Sequence, residues 1–166
     1  GQVKWLDSAG IDLARGHGRI TGEREVTVTD ADGAERVLKA RHAVAISTGS
    51  DAVIPPIEGL REATPWTSRE ATSAEELPES LAVIGGGVVA VEMATAYAAL
   101  GSKVTVIARS GLLGGMEPFA GEHVAAGLKE LGVDVRTGAG TTSVHRGANG
   151  VTITLDGGEE ITATEV

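Results

Sequence analysis

Residues 81–92, with the sequence LAVIGGGVVAVE, limit the possible folds of this chain more than any other stretch. Residues 81–84 form a continuous apolar run, which is typical of a strand buried on both faces. Gly85, Gly87 and Ala90 follow with the spacing G-x-G-x-x-G/A. In this spacing the first glycine permits a tight turn, the second lets the backbone approach a pyrophosphate, and the third, small residue lets helix and strand pack closely. The stretch therefore predicts a strand, a phosphate-binding turn and the start of a helix.

The helix predicted after the turn supplies the other half of a phosphate site. Val88 and Val89 are its first residues, and the free N–H groups and positive dipole end at a helix start attract phosphates. Residues 88–100 are apolar and rich in alanine, Gly101 can end the helix with a positive φ, and residues 103–108 indicate a second strand. This order of elements within about 30 residues favours a dinucleotide site. The alternative is a glycine-rich connection that binds nothing.

The residues after the second strand indicate which dinucleotide is bound. In NAD and FAD sites, an Asp or Glu about 20 residues after the glycines holds the ribose 2′-hydroxyl. Here Ala108 stands at that position, and Arg109 and Ser110 follow it. An arginine fork suits a 2′-phosphate, and the missing carboxylate removes a repulsion. We therefore predict NADP as the cofactor, with NAD as the second choice; the alternative is a solvated surface arginine.

Composition argues against several other classes of function. The 166 residues carry a net charge of −9, so an extended nucleic-acid or membrane surface is not expected. No apolar run reaches the roughly 18 residues of a membrane span, and no signal-peptide pattern opens the sequence. The chain has no cysteine, and its four histidines lack metal-ligand spacing, so we expect neither thiol chemistry nor a metal site. These features favour a cytoplasmic protein.

The remaining segments indicate further strands before and after this unit. Residues 16–40 alternate as strands, and the apolar run at residues 43–49 predicts a strand that ends in Thr48-Gly49. A glycine at a strand end can let the backbone approach a ligand, although its chemistry alone favours a plain turn. After a helix predicted at residues 122–131, three alternating segments within residues 142–163 predict an antiparallel meander.

Taken in order, these motifs resemble the flavin-dependent pyridine nucleotide–disulphide oxidoreductases, the family of lipoamide dehydrogenase, glutathione reductase and mercuric reductase. GGGVVAVE at residues 85–92 resembles the family's G-G-G-x-x-A/G-x-E motif. ISTGS at residues 46–50, followed by PPIEG at residues 55–59, resembles its A-T-G-S and P-x-I-P-G stretch. IARS at residues 107–110 is most similar to mercuric reductase and other NADPH-using members. The resemblance covers about residues 15–166.

The resemblance also implies roles for particular residues. His17 and Gly18 would lie beside the FAD adenine, Thr48 and Gly49 close to the flavin cofactor, and Glu92 near the nicotinamide. No catalytic residue is assigned. The candidate cofactor-binding residues are His17, Gly18, Thr48, Gly49, Gly85, Gly87, Val88, Val89, Ala90, Glu92, Arg109 and Ser110.

The parts of the family pattern that are absent imply that this sequence is the central part of such an enzyme. The family's first FAD fingerprint, its redox cysteine pair and its dimerisation domain are not present. We expect residues 1–75 to be a partial FAD-binding domain and residues 76–166 to be an NAD(P)-binding domain truncated at its C-terminal end. The expected fold is α/β: a Rossmann-like NAD(P)-binding unit with a three-stranded antiparallel meander, preceded by a β-rich remnant of the FAD domain.

The function implied by the resemblance is binding of NAD(P)H within a flavoprotein oxidoreductase that passes hydride from NADPH via FAD to a disulphide or another acceptor. The alternative is a non-catalytic nucleotide-binding or interaction module, because the redox cysteines and the first half of the FAD site are absent. An NAD-linked dehydrogenase with an unrelated substrate domain would leave Thr48-Gly49 unexplained. Uncovered sheet edges and apolar faces also predict a homo-oligomer or a self-associating chain.

Overall fold

A computed structural model describes all 166 residues, which form two compact units, Gly1–Ser50 and Asp51–Val166. The division falls after residue 50, so residues 51–75 pack with the second unit. The assignment of residues 1–75 and 76–166 to two cofactor-binding domains stays a prediction. None of the four helices combines the length and the apolar character of a membrane-spanning helix.

The first unit is an antiparallel sheet with very little core. A helix, α1 (Gln2–Ser8), precedes three strands in the order β1-β2-β3. Val28 is its only buried residue, so most of the apolar side chains in this unit are partly or fully exposed to solvent. The three strands are β1 (His17–Gly22), β2 (Glu25–Thr29) and β3 (Glu35–Lys39).

The strand predicted at residues 43–49 is not present in the structure, and this prediction is wrong. The segment has no regular secondary structure, and Ile46 is 70% exposed. An apolar run provides side chains suited to burial, but a strand also needs a neighbour whose N–H and C=O groups pair with its own. No other segment of the chain pairs with these residues.

The second unit is built on three parallel strands in the order β4-β5-β6. Helix α3 connects β4 to β5, helix α4 connects β5 to β6, and a short helix, α2, precedes β4. The left-handed conformation of Gly101, with φ 109°, ends α3 at the predicted position. The elements are α2 (Ser68–Ser73), β4 (Ser80–Ile84), α3 (Val88–Leu100), β5 (Lys103–Ala108), α4 (Pro118–Glu130) and β6 (Asp134–Thr137).

A second, antiparallel sheet covers the face of the parallel sheet that the helices leave open. Its strands, in the order β7-β8-β9, follow β6 directly. Alternate residues of the parallel strands face opposite ways: Ala82 and Ile107 pack with this sheet, whereas Leu81 and Val106 pack with α3 and α4. The strands are β7 (Thr141–Gly147), β8 (Gly150–Leu155) and β9 (Glu160–Ala163). The expectation of an α/β fold is therefore confirmed.

The last residues of the chain lie beside the free edge of β4. Glu165 forms a parallel bridge with Leu81, and the Ala82 N–H donates to the Glu165 carbonyl at 2.9 Å. Arg146 of β7 holds this segment in place, since its guanidinium contacts the Glu165 carboxylate and donates to the Ala63 carbonyl at 2.7 Å. β4 consequently has β5 along one side and Glu165 beside its first residues on the other, and open α/β sheets bind ligands outside the carboxyl ends of such strands.

Candidate functional site

The candidate site begins with the turn that follows β4. The Gly85 N–H donates to the Ile107 carbonyl of β5 at 2.8 Å, and its φ of 127° is a conformation that residues with a side chain rarely adopt. Gly87 is the N-cap residue of α3, with φ −79° and ψ 179°. The three glycines thus turn the chain from the end of the strand directly into the helix.

The start of α3 presents backbone donors with no partner in the chain. The first hydrogen bond into the helix runs from the Val91 N–H to the Gly87 carbonyl at 3.1 Å, and no side chain caps the helix. The N–H groups of Val88, Val89 and Ala90 are left unpaired, as at the first turn of any uncapped helix. A Cβ at Gly87 would have no atom within 4 Å, so the residue that precedes these donors faces open space. This arrangement fits an anionic group such as a phosphate.

Arg109 and Ser110 lie at the carboxyl end of the next strand. Ile84 and Ile107 are register partners in the parallel sheet, so the ends of β4 and β5 are adjacent. Ala108 is buried, whereas Arg109 and Ser110 are exposed. Arg109 makes no salt bridge or side-chain hydrogen bond within the chain, so its guanidinium is free to bind an anion.

Another arginine on the same sheet already forms ion pairs with carboxylates. Arg136 of β6 contacts Asp134 at 2.8 Å and Glu159 at 3.1 Å. The hydrogen bond from Arg136 to Asp134 raises the pKa of the Arg136 guanidinium further above its ordinary value. Arg136 is therefore poorly suited to bind a phosphate, and Arg109 is the better candidate.

A cavity of about 330 Å³ adjoins the glycine turn. Gly85, Gly87 and Ala90 line one side of it, and Trp66 and Met93 contribute to its apolar wall. Much of this wall comes from residues 52–67, an irregular segment whose motif at residues 55–59 does not indicate a cavity. The adjacent aromatic pair Trp66 and Tyr97, with ring centroids 6.0 Å apart, gives no signal of its own in the sequence.

Glu92 lies in the second turn of α3 and is exposed, with no ion pair. The four candidates implied for FAD lie in the first unit. His17 and Gly18 are exposed residues of β1, paired with Thr29 and Val28 of β2. Thr48 and Gly49 are exposed in the irregular segment. The structure thus gathers the turn residues, Arg109 and Ser110 at one end of the parallel sheet, and it leaves the FAD candidates in a separate unit.

The whole chain, residues 1–166, matches the pyridine nucleotide-disulphide oxidoreductase family. The chain belongs to this family. The resemblance found from the sequence motifs is therefore confirmed.

The chain is similar to two named enzymes and to one solved structure. Mercuric reductase of Shigella flexneri is 44% identical over 126 residues, which cover 76% of this chain and 22% of that protein. Dihydrolipoyl dehydrogenase of Acholeplasma laidlawii is 37% identical over 161 residues, covering 93% of this chain and 45% of that protein. The structure of the HOCl-induced flavoprotein disulfide reductase RclA from Escherichia coli has a TM-score of 0.82 at 23% identity, covering 99% of this chain and 38% of RclA.

These matches determine which properties of the family can be attributed to this chain. Members of the pyridine nucleotide-disulphide oxidoreductases are FAD-dependent and use NAD(P)H, so membership supports a redox role. The chain spans less than half the length of each of these relatives. At 23% identity, RclA supports the fold alone.

No group of three or more His, Asp or Glu side chains is placed to hold a metal ion.

Gly86 contributes to the site, although it is not among the candidate residues predicted from the sequence. The general fingerprint G-x-G-x-x-G/A leaves its position variable, and only the G-G-G of the family motif specifies a glycine there.

Proposed function

We propose that this chain is the NAD(P)H-binding central part of a flavoprotein oxidoreductase that passes hydride from NADPH via FAD to a disulphide or another acceptor. The β4–α3–β5 unit would be a Rossmann-type site for the dinucleotide. One observation carries the proposal: the N–H groups at the start of α3 are exposed and have no partner in the chain. A side chain at Gly87, the residue before them, would meet no other atom within 4 Å. The family's use of NAD(P)H supports it.

Each residue of the turn would have a distinct task. The missing side chain at Gly87 would leave room for the pyrophosphate, and the N–H groups of Val88 and Val89 would donate to its oxygens. Ala90 would keep α3 close to β4, and Glu92 would border the nicotinamide.

The preference for NADPH would come from the end of β5. The Arg109 guanidinium would pair with the 2′-phosphate, and the Ser110 hydroxyl would donate a further hydrogen bond. Ala108 is buried and uncharged where NAD sites carry an acid, so no carboxylate would repel the phosphate. The free state of Arg109 supports this assignment.

FAD would bind in the full-length protein. His17, Gly18, Thr48 and Gly49 are exposed, as contact with a cofactor requires. The 166 residues contain no cysteine, so they cannot themselves supply a redox-active thiol pair. The chain on its own would therefore bind nucleotide without completing a disulphide reduction.

Calorimetric titration of the chain with NADPH and NADH tests the proposed site. NADPH should bind more tightly, and Arg109→Ala should weaken NADPH binding about 10- to 100-fold, since hydrogen bonds to charged groups contribute roughly 1.5–3 kcal/mol. NADH binding should barely change, because NADH has no 2′-phosphate.

Lys103→Ala is the matched control. It removes one positive charge from the opposite end of the same strand, where Lys103 contacts Glu79 at 3.9 Å. The control should leave both affinities unchanged. Equal affinities for NADPH and NADH would contradict the predicted specificity, and the binding of neither would contradict a formed nucleotide site in this chain.

A further inference from the structure

The loop that carries Arg109 and Ser110 is confined between two glycines that the dinucleotide fingerprint does not assign. Leu112, three residues after Arg109, has a side chain that is 5% exposed and packs in the core beneath α3 and α4. Gly86 of the turn lies on one side, where a Cβ would be 3.2 Å from the Gly111 carbonyl oxygen and 3.2 Å from the Leu112 side chain. Gly121 of α4 lies on the other side, where a Cβ would overlap the Leu112 carbonyl oxygen.

The backbone of this loop is held in an unfavourable conformation. Leu113 has a φ of 53°, a left-handed conformation that is unfavourable for a residue with a side chain. Its N–H donates to the Gly86 carbonyl at 2.7 Å, and its carbonyl accepts from the Met116 N–H at 2.8 Å. A strained residue persists only where its surroundings determine its conformation, and such residues concentrate at functional sites.

We propose that Gly121 and Gly86 set the preference for NADPH over NADH by positioning Arg109 and Ser110, although neither glycine contacts the 2′-phosphate. This inference rests on the proposed function, in which Arg109 reads that phosphate. Both glycines are positioning residues: they act on the loop, and the loop presents the guanidinium.

The close packing explains why a small change at Gly121 reaches Arg109. A methyl group at residue 121 must move either the Leu112 carbonyl or the start of α4. The Leu112 side chain is buried and Leu113 is bonded to Gly86, so these two residues resist the displacement. The exposed residues 109–111 would move instead. The bidentate geometry of an arginine–phosphate pair at these residues is sensitive to small shifts. NADH makes no contact there, so its affinity should depend on the turn alone.

Gly121→Ala tests the inference through the ratio of the two affinities. We expect NADPH binding to weaken about tenfold, because a displaced guanidinium loses its paired hydrogen bonds, while NADH binding changes less than about twofold. Gly127→Ala is the matched control in the same helix, since a Cβ at Gly127 meets nothing within 4 Å. The control should leave both affinities unchanged.

A double-mutant cycle separates positioning from a general loss of structure. In the Arg109→Ala background, Gly121→Ala should cause a much smaller further loss of NADPH affinity, because only the Ser110 hydroxyl is left to be displaced. Equal losses for NADPH and NADH, or additive losses in the double variant, would overturn the inference.

Gly86→Ala provides a second variant should Gly121→Ala unfold, which circular dichroism would show. Its Cβ contacts at 3.1–3.2 Å require shifts of only a few tenths of an ångström, so it should shift the affinity ratio in the same direction by a smaller factor. Wild-type protein without a preference for NADPH would overturn the proposed specificity and this inference together. A preference that Arg109→Ala abolishes and both glycine variants retain would overturn this inference alone.

Discussion

Replacing Gly87 with alanine should weaken nucleotide binding strongly and leave the stability of the chain nearly unchanged. The φ of −79° and ψ of 179° at Gly87 suit any residue, and a Cβ there meets no atom within 4 Å. At a compatible backbone position, Gly→Ala stabilises a protein by about 0.4–1 kcal/mol through the unfolded state. Alanine is a poorer N-cap residue than glycine by roughly 0.5–1 kcal/mol. The two effects offset each other, so the net change should be within about 0.5 kcal/mol.

The effect on binding should be large because the new methyl group enters the space reserved for the pyrophosphate. The unpaired N–H groups of Val88 and Val89 lie behind that space, and a phosphate held at a greater distance loses its hydrogen bonds to them. We expect the affinities for NADPH and NADH to fall together by at least about tenfold, which corresponds to one lost charge-assisted hydrogen bond.

Gly101→Ala is the complementary variant. Gly101 ends α3 with a φ of 109°, at the other end of the helix from the turn. Alanine in this conformation should destabilise the protein by roughly 1–2 kcal/mol and leave nucleotide affinity unchanged. Thermal denaturation followed by circular dichroism measures the stability of both variants, and calorimetric titration measures their binding. A Gly87→Ala protein that binds NADPH like the wild type would refute the assignment of the pyrophosphate to this turn.

Two further predictions concern the residues that hold α2. Hydrogen bonds from the Thr67 hydroxyl at 2.6 Å and the Thr67 N–H at 2.8 Å lower the pKa of Glu70 below its ordinary value. Ionised Glu70 therefore stabilises the fold at neutral pH. Glu70→Gln should lower the melting temperature at pH 7 by an amount that shrinks as the pH falls through the lowered pKa of Glu70. A pH-independent difference would exclude this origin. Tyr97→Phe removes a hydrogen bond of 2.7 Å to the Ala71 carbonyl and should cost about 1 kcal/mol in urea unfolding, whereas no loss would mean that water replaces the hydroxyl.

The elements of the parallel unit could be predicted because their signals are local. The apolar run at residues 81–84, the glycine spacing and Gly101 each act through the backbone of the residues concerned or their immediate neighbours. The strands β4 and β5 and the helix α3 accordingly lie where the pattern placed them. The family resemblance followed from the order of several such local motifs.

The remaining features depend on residues that are distant in sequence. Residues 43–49 have an apolar pattern but no strand beside them, and no local signal reveals whether a partner exists. The contact of Gly121 with the Leu112 carbonyl forms only when α4 packs on the loop, so the glycine looks like an ordinary helix residue in the sequence. The Arg146–Glu165 contact likewise joins β7 to the last residues of the chain, and no sequence motif indicates that these segments pack together.

The location of the site is the central claim, and backbone amide chemical shifts during an NADPH titration of isotope-labelled protein test it most directly. The largest shifts should occur at residues 85–90 and at Arg109 and Ser110, at the carboxyl end of the parallel sheet. Residues 145–150, at the turn between β7 and β8, should shift little. Shifts concentrated at residues 145–150, with the glycine turn unaffected, would contradict the account.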